Sequence, residues 1–474
     1  MRRKTAIVVG ACAALVLAGV AGAMTAKHGD ERPVGTWQQA PGVPRTPVAA
    51  EASLPPATVA VRSSGEAVPS SASASSRERA SPTAPTFSEP SSAARKSSHK
   101  TDKTPEGAER VLESAEAAPG RQRVGELLHV GKLLGYLAGP AKQTFRYPGA
   151  SYVKVHFSRM AMLPGDYVTV ANPDRTESYR YDTENGGRWA MSISGDTAVV
   201  EVHRALDPLG LRSALDGLGV RVDRVARGFS RTEQARVPAP ASVRPGRSGR
   251  EESVCGADTS TDAVCYQSAD PVAYIKSKAI ARLLINGTEL CTGWRVGPKN
   301  RMLTNNHCLT TSEEAYDTEV WFNYQCAKCG GYDVFKPTKV WGDQVVSTDH
   351  VLDYTLFSVD GFDDVAKFGY LTLDAARPAK GTELYVPQHP AGEPTRIAGA
   401  KGEKAGNCAV DNPDYTGYAA HSDVSYFCDT AGGSSGSPVL SRKTNKVVAL
   451  HHFGGCPNSG VRGDLLAAKL RAYL

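Results

Sequence analysis

The sequence predicts an all-β protein whose folded part begins after residue 106, with a small β-sandwich followed by a larger, cysteine-bearing β domain. Three observations carry that reading. Short stretches of alternating apolar and polar residues recur between turn signals from Tyr152 onward. Nine of the ten cysteines follow residue 250, which places a disulfide framework in one C-terminal region of an exported chain. The first hundred residues have the opposite character, rich in Ser, Pro, Ala and charge and poor in aromatics.

Met1-Arg2-Arg3-Lys4, the apolar run from Thr5 to about Ala26 and the small-residue site Ala21-Gly22-Ala23 read as a secretory signal peptide over residues 1–23. An uncleaved anchor is the competing reading, because the run is nearly long enough to span a bilayer. Residues 24–105 cannot bury enough apolar surface to offset the entropy of ordering and read as disordered, either a tether across a cell wall or a discarded prosegment.

Residues 106–205 supply the sandwich. Tyr152–Phe157, Asp166–Val170 and Thr197–His203 each alternate, and Asn172-Pro173-Asp174 and Asn185-Gly186-Gly187 mark turns between them. Glu126–Leu134 reads as a short amphipathic helix weakened by its glycine. The functional reading of this module is binding, with a cell wall or carbohydrate as partner; the structural one is a prodomain or spacer. Residues 206–250 read as a linker, with a helix from Leu211 to Leu218 and a basic Pro/Gly-rich end, Val243–Arg250, exposed enough to be nicked near Arg250.

The totals narrow the function. A net charge of +6 is spread along 474 residues, with no concentrated Lys/Arg patch interleaved with aromatics, which argues against nucleic acid as a partner. The 46 Gly and 30 Pro indicate abundant turns.

Three stretches after residue 251 carry chemistry. In Cys428-Asp429-Thr430-Ala431-Gly432-Gly433-Ser434-Ser435-Gly436-Ser437-Pro438 a serine is flanked by glycines, which tolerate the dihedrals needed to expose one hydroxyl and aim two N–H groups at a developing oxyanion. In Cys291-Thr292-Gly293-Trp294-Arg295-Val296 and Met302-Leu303-Thr304-Asn305-Asn306-His307-Cys308, two short apolar strands lead to a histidine that can serve as general base. In Leu352-Asp353-Tyr354-Thr355-Leu356-Phe357 an acid opens an apolar strand, where it can be buried to orient an imidazole. Asp343 and Asp349 are nearby rivals, but neither leads directly into such a strand. Chain order is His307, Asp353, Ser435.

With these stretches, Phe322-Asn323-Tyr324-Gln325, Gln388-His389-Pro390 and His451-His452-Phe453-Gly454-Gly455, the region 251–474 resembles the trypsin-like (chymotrypsin-fold) serine peptidases, most closely the lysyl and glutamyl endopeptidase branch. The resemblance implies two six-stranded β-barrels with a cleft between them, and a secreted endopeptidase acting on protein or peptide substrates without a cofactor. It implies Ser435 as nucleophile, His307 as base, Asp353 as its partner, and the N–H groups of Gly433 and Ser435 as the oxyanion hole. It further implies Cys291–Cys308, Cys255–Cys456, Cys265 with Cys329 or Cys326, and Cys408–Cys428. A zinc site at Cys326-x-x-Cys329 is the rival reading, without a second ligand pair at suitable spacing.

Specificity is divided. Asp429, six positions before Ser435, stands where trypsin-like enzymes keep the acid that binds a substrate Arg or Lys. His452, before Phe453-Gly454-Gly455, resembles the histidine that meets a substrate carboxylate in glutamyl endopeptidases, unless it pairs with Asp429. Basic cleavage sites are the expectation, with a Glu-preferring enzyme as alternative. Phe453, Gly454 and Gly455 are expected to offer a strand edge to the substrate backbone. Asp464 is expected to cap the closing helix Leu465–Leu474. Ser434 stands where trypsin has an acid that receives the new N-terminus, so activation by propeptide removal must work otherwise, for instance by unblocking the cleft. Two readings from other classes are a binding protein on a retired protease fold and an adhesion module that the protease only matures.

Overall fold

The structure is a computed structural model that describes residues 38–39, 110–111, 117–135, 140–183, 187–204, 219–250, 254–399 and 408–474. The leader at 1–23, nearly all of the 24–105 segment and the helix expected at 211–218 lie outside the described residues.

Two antiparallel sheets face each other in the upstream module. One orders Ser178–Tyr181, Tyr167–Ala171, Thr197–His203 and Lys142–Arg146; the other centres on Tyr152–Ala161, Gly219–Gly228 and Gly125–Leu134. Alternation along these strands aims Val153, Val155, Phe157, Val168, Val170, Val200, Val220 and Val222 into one shared core.

Two expectations are corrected here. Glu126–Leu134 lies in a strand, Gly125–Leu134, paired along its length with Gly219–Gly228. Its leucines suit either element, and sheet pairing overrides a weak helical pattern that Gly131 already weakens. The sandwich also reaches beyond residue 205. Gly219–Gly228 is central in its sheet, because Val220-Arg221-Val222 alternates in a stretch read as linker.

The C-terminal region forms two closed six-stranded barrels. In the first, Ile280–Ile285, Glu319–Phe322, Thr338–Asp349, Tyr354–Val359, Met302–Thr304 and Glu289–Arg295 pair in sequence, and the last returns to the first. In the second, the path runs Leu384–Gln388, Pro438–Ser441, Val447–Phe453, Asn458–Arg462, Asp423–Tyr426 and Val410–Tyr415, and a bridge between Glu383 and Ala409 closes it. Closure pairs each ring strand with two neighbours and leaves only short edge segments, such as Glu289–Leu290, to take an added strand. Each barrel has its own apolar filling. A larger cluster, including Trp294, Tyr354, Tyr385, Leu450 and Leu466, joins the barrels to the C-terminal helix Gly463–Leu470. Asp464 sits in that helix's first turn, bonded by Arg462, and Arg462 rather than Asp464 holds the cap position.

Disulfides join Cys255–Cys456, Cys265–Cys329, Cys291–Cys308 and Cys408–Cys428. Cys326 is buried and reduced, with its thiol pushed up to about 11 by burial and by the nearby Asp262 carboxylate.

The sandwich docks on the first barrel. Lys154 and Glu319 form an ion pair at 2.8 Å with both side chains fully buried. Glu319 also accepts from Ser192 N and Oγ and from Trp321 Nε1. Lys339 reaches across from the barrel to Glu177 at 2.8 Å and to the Ser192 carbonyl at 2.7 Å. Burial works to raise the Glu319 carboxyl, but Lys154 and Lys339 outweigh it and hold the group below its ordinary range. Trp189, Met191, Ala226 and Trp341 pack around these charges.

Candidate active site

His307 stands just after the strand Met302–Thr304 of the first barrel, and the Cys291–Cys308 disulfide fixes the loop behind it. Asp353 precedes the neighbouring strand Tyr354–Val359. It is 1% exposed and has a φ of +37°, a left-handed conformation that costs an aspartate about 1 kcal/mol. That geometry lets one carboxylate take two bonds from one residue: His307 N donates to Oδ1 at 3.0 Å, and His307 Nδ1 lies 2.8 Å from Oδ2. Asn305 Nδ2 holds the Asp353 carbonyl at 2.9 Å. Burial alone would raise the Asp353 carboxyl, but His307 and His452 hold it far below the usual carboxylate range.

Ser435 lies on a turn of the second barrel. Gly433 and Gly436, on either side, have φ of +93° and +87°, where a side chain would be strained. Ser434 N donates to the Ala431 carbonyl and Ser437 N to that of Ser434, while Ser434 Oγ accepts from Ala431 N, so Ser434 braces the turn from inside. Thr292, on the first barrel, ties the turn across the cleft: its N–H donates to the Ser435 carbonyl and its hydroxyl to that of Gly433. Among the described residues the N–H groups of Gly433 and Ser435 have no acceptor.

The structure thus brings His307, Asp353, Gly433 and Ser435 to one cleft, but the hydroxyl and the imidazole do not bond each other. Ser435 Oγ donates to the carbonyl of Gly120 at 3.2 Å, and His307 Nε2 is buried without a hydrogen-bond partner among the described residues. The segment Ala118–Arg123 runs through the cleft. Ala118 and Arg121 close a turn (N–H to carbonyl, 3.0 Å), Gly120 N donates to the Ala241 carbonyl, and Gln122–Arg123 pair antiparallel with Glu289–Leu290 as an added strand. Gly120, at φ +79°, lies so close to His307 that a Cβ there would stand 2.5 Å from the ring's Cδ2.

The five residues expected to contact substrate are placed differently. Asp429 Oδ2 accepts from Thr259 N at 2.9 Å and Thr259 Oγ1 at 2.6 Å, and it does not meet His452. His452 is buried behind Asp353, where Nδ1 lies 3.2 Å from Asp353 Oδ2 and Nε2 lies 2.6 Å from Asp423 Oδ2. Both ring nitrogens are engaged, so the ring as placed offers neither to a substrate carboxylate. Burial opposes a charge on this ring, but Asp423 and Asp353 prevail and raise it to about 9. Phe453 is likewise buried, edge-on to Tyr418 at 5.1 Å, rather than open to the cleft. Gly454 is buried, its carbonyl accepting from Arg247 Nη1 at 2.6 Å, and Arg244 and Arg247 crowd the neighbouring Gly455.

Sequence reasoning missed Asp423, Gly120, Arg121, Glu289 and Glu314. None belongs to a local motif, and no pattern in the sequence singles them out. Cys291, His307 and Cys308 have their ligand atoms within 4.8 Å of one another, but both sulfurs belong to the disulfide, so the donor set does not suit a metal.

The model of the trypsin-like peptidase domain matches residues 291–450. The secreted RxLR effector protein 73 of Plasmopara viticola is 33% identical over 337 residues, which cover 68% of this chain and 79% of that protein. An uncharacterized protein of Sinorhizobium fredii is 29% identical over 192 residues, 38% of this chain and 28% of that protein's length. A solved Glu endopeptidase aligns at 20% identity and a TM-score of 0.34, over 46% of this chain and 98% of its own. The chain belongs to the family of the Plasmopara viticola protein, and its residues 291–450 match a trypsin-like peptidase domain, which makes it a serine endopeptidase.

Proposed function

We propose that the protein is a secreted serine endopeptidase that acts through His307, Asp353 and Ser435 and is held latent by its own upstream segment. The observation that carries the reading is the pairing of His307 with Asp353 across from a Ser435 whose hydroxyl is turned onto the Gly120 carbonyl. With that carbonyl gone, Ser435 Oγ is free to turn to His307 Nε2. The imidazole then takes its proton as the hydroxyl attacks a peptide carbonyl, and returns it to the leaving amine. Asp353 holds Nδ1–H and stabilises the imidazolium, and the N–H groups of Gly433 and Ser435 receive the oxyanion. The four disulfides and the secreted relative support export.

Cleavage after basic residues is favoured over cleavage after glutamate. His452 has no ring nitrogen left for a substrate carboxylate, whereas Asp429 keeps a carboxylate six positions before Ser435. Cutting near Arg250 would separate the cleft-filling segment from the peptidase chain.

Labelling with a serine-directed fluorophosphonate tests the reading. The intact chain should label slowly and the chain cut near Arg250 at least tenfold faster, with Ser435→Ala abolishing labelling in both. Equal labelling of Ser435→Ala would remove Ser435 as nucleophile, and fast labelling of the intact chain would remove the latency.

A further inference from the structure

The segment in the cleft is also a bound ligand, and its arginine is held more completely than a latch requires. Arg121 is 6% exposed although it sits between two parts of the molecule. Its guanidinium is met on three sides: Nε donates to the His307 carbonyl at 3.0 Å, Nη1 pairs with Glu289 Oε2 at 3.0 Å, and Nη2 pairs with Glu314 Oε1 at 2.7 Å. A planar fork answered by two carboxylates and a carbonyl is a recognition geometry that lysine cannot reproduce.

Both acids belong to the peptidase domain. Glu289 opens the barrel strand that Gln122–Arg123 extend, and Glu314 lies in the short helix Ser312–Tyr316 just after His307. Glu314 is itself held by Thr310 N at 2.8 Å and Thr310 Oγ1 at 2.6 Å. Burial acts to raise its carboxyl, but the bonds from Thr310 and Arg121 keep it below the ordinary range. When residues 118–123 leave, two positioned carboxylates remain beside the catalytic histidine with no cation between them.

We propose that Glu289 and Glu314 form an arginine-binding subsite, and that the peptidase favours peptides with arginine directly after the bond it cuts. The side of the cleft follows from chemistry. The carbonyl at Ser435 belongs to Gly120, and the next residue in the chain is Arg121, the position whose amine would leave with a proton from His307. Arg121 itself escapes cleavage because its N–H is tied back to the Ala118 carbonyl in a turn and the Gly120 carbonyl points at the hydroxyl. The proposal rests on the serine-peptidase reading and adds a specificity on the leaving-group side, separate from any preference set by Asp429.

The test uses the secreted chain in whichever form it turns over peptides. Substrates share one sequence and differ only in Arg, Lys or Ala after the scissile bond. For the unaltered protein we expect kcat/KM for Arg to exceed that for Ala about tenfold, with Lys between them. In the Glu289→Gln, Glu314→Gln double variant, which keeps shape but removes the charge and one acceptor oxygen from each side chain, the Arg-to-Ala ratio should fall to within twofold. No arginine preference in the unaltered protein, or an unchanged ratio in the double variant, overturns the subsite and leaves Arg121 as a latch alone. Fluorophosphonate labelling counts competent Ser435 in each preparation. A protein that labels but lacks the ratio therefore speaks against the subsite, and one that never labels speaks against the serine-peptidase reading.

Discussion

The upstream half of the chain meets the peptidase domain in two places that are built differently. On the docking face, Lys154 and Glu319 are buried completely among Trp189, Met191 and Trp341. In the cleft, contact rests on one turn, a two-residue strand and the side chain of Arg121, with basic residues of the 241–250 hairpin laid over the rim. A buried charge pair is costly to separate, because each partner left behind is unpaired in a dry site. The cleft contact is smaller, and the acids that hold Arg121 keep a route to water, with the Glu289 and Glu314 side chains 15% and 26% exposed, so its polar contacts can be exchanged for water. The docking face is thus suited to permanence and the cleft contact to release.

The largest effect should come from the docking face. Glu319→Ala leaves Lys154 without its counter-charge and removes the acceptor of Ser192 and Trp321, at a cost of about 3–5 kcal/mol in unfolding free energy. Urea unfolding followed through Trp321 and Trp341 measures it. A loss below about 1 kcal/mol would mean that the two faces do not differ in kind.

Next comes the floor of the cleft, which shares the chemistry of the docking face. His452 is raised to about 9 between Asp423 and Asp353, with His307 and His451 the other ionisable rings nearby and Tyr418 beside it. A histidine raised above its unfolded value of about 6.5 contributes stability that is complete below that value and lost as pH rises through about 9. The depressed carboxylates of Asp353 and Asp423 add stability that is lost instead as pH falls below their ordinary range. His452→Gln should therefore cost on the order of 3 kcal/mol at pH 6, with the gap to the unaltered protein closing above pH 9. A gap that stays constant from pH 6 to 10 would show that the ring is not held charged.

How far these features could be read from the sequence follows from where their partners lie. His307, Asp353 and Ser435 could be picked out because each sits in a short pattern: a histidine beside a cysteine after a strand, an acid opening a strand, a serine between glycines. Asp423 could not, because it lies in the strand Asp423–Tyr426, seventy positions from Asp353, and meets His452 only when the second barrel closes. Glu314 looks like an ordinary acid in the first turn of a helix capped by Thr311, and that local role hides its bond to Arg121. Cys326 and Cys329 stand three apart in one turn-rich loop, and only the fold brings Cys329 to Cys265 and encloses Cys326. The docking face was invisible for the same reason: Lys154 alternates onto the outer face of its strand, opposite Val153 and Val155, where a charge reads as solvent-exposed, and its partner lies 165 positions on.

The cleft contact itself should yield to small changes. Gly120→Ala introduces a side chain at φ +79°, a conformation that costs about 1–2 kcal/mol, and places its Cβ against the His307 ring. The docking face is untouched. Labelling of Ser435 in the intact chain should rise about tenfold while the urea midpoint set by Glu319 stays where it was. A labelling rate equal to that of the unaltered chain would show that the turn at Gly120 does not restrain Ser435.

Arg247→Ala should have the smallest effect and the most selective one. Arg247 donates to the Gly454 carbonyl, on the segment proposed to take an incoming peptide backbone as an added strand. Losing a charged hydrogen bond at a partly exposed rim is worth about 1 kcal/mol, a few-fold in accessibility. A fluorophosphonate is too small to need that edge, so its rate of labelling should change less than twofold. A peptide does need it, so KM should fall severalfold with little change in kcat. Gly120→Ala, in contrast, should help both probes. If Arg247→Ala speeds labelling as much as Gly120→Ala does, the turn in the cleft and the hairpin on its rim release as one unit, and the cleft contact is more cooperative than its separate bonds imply.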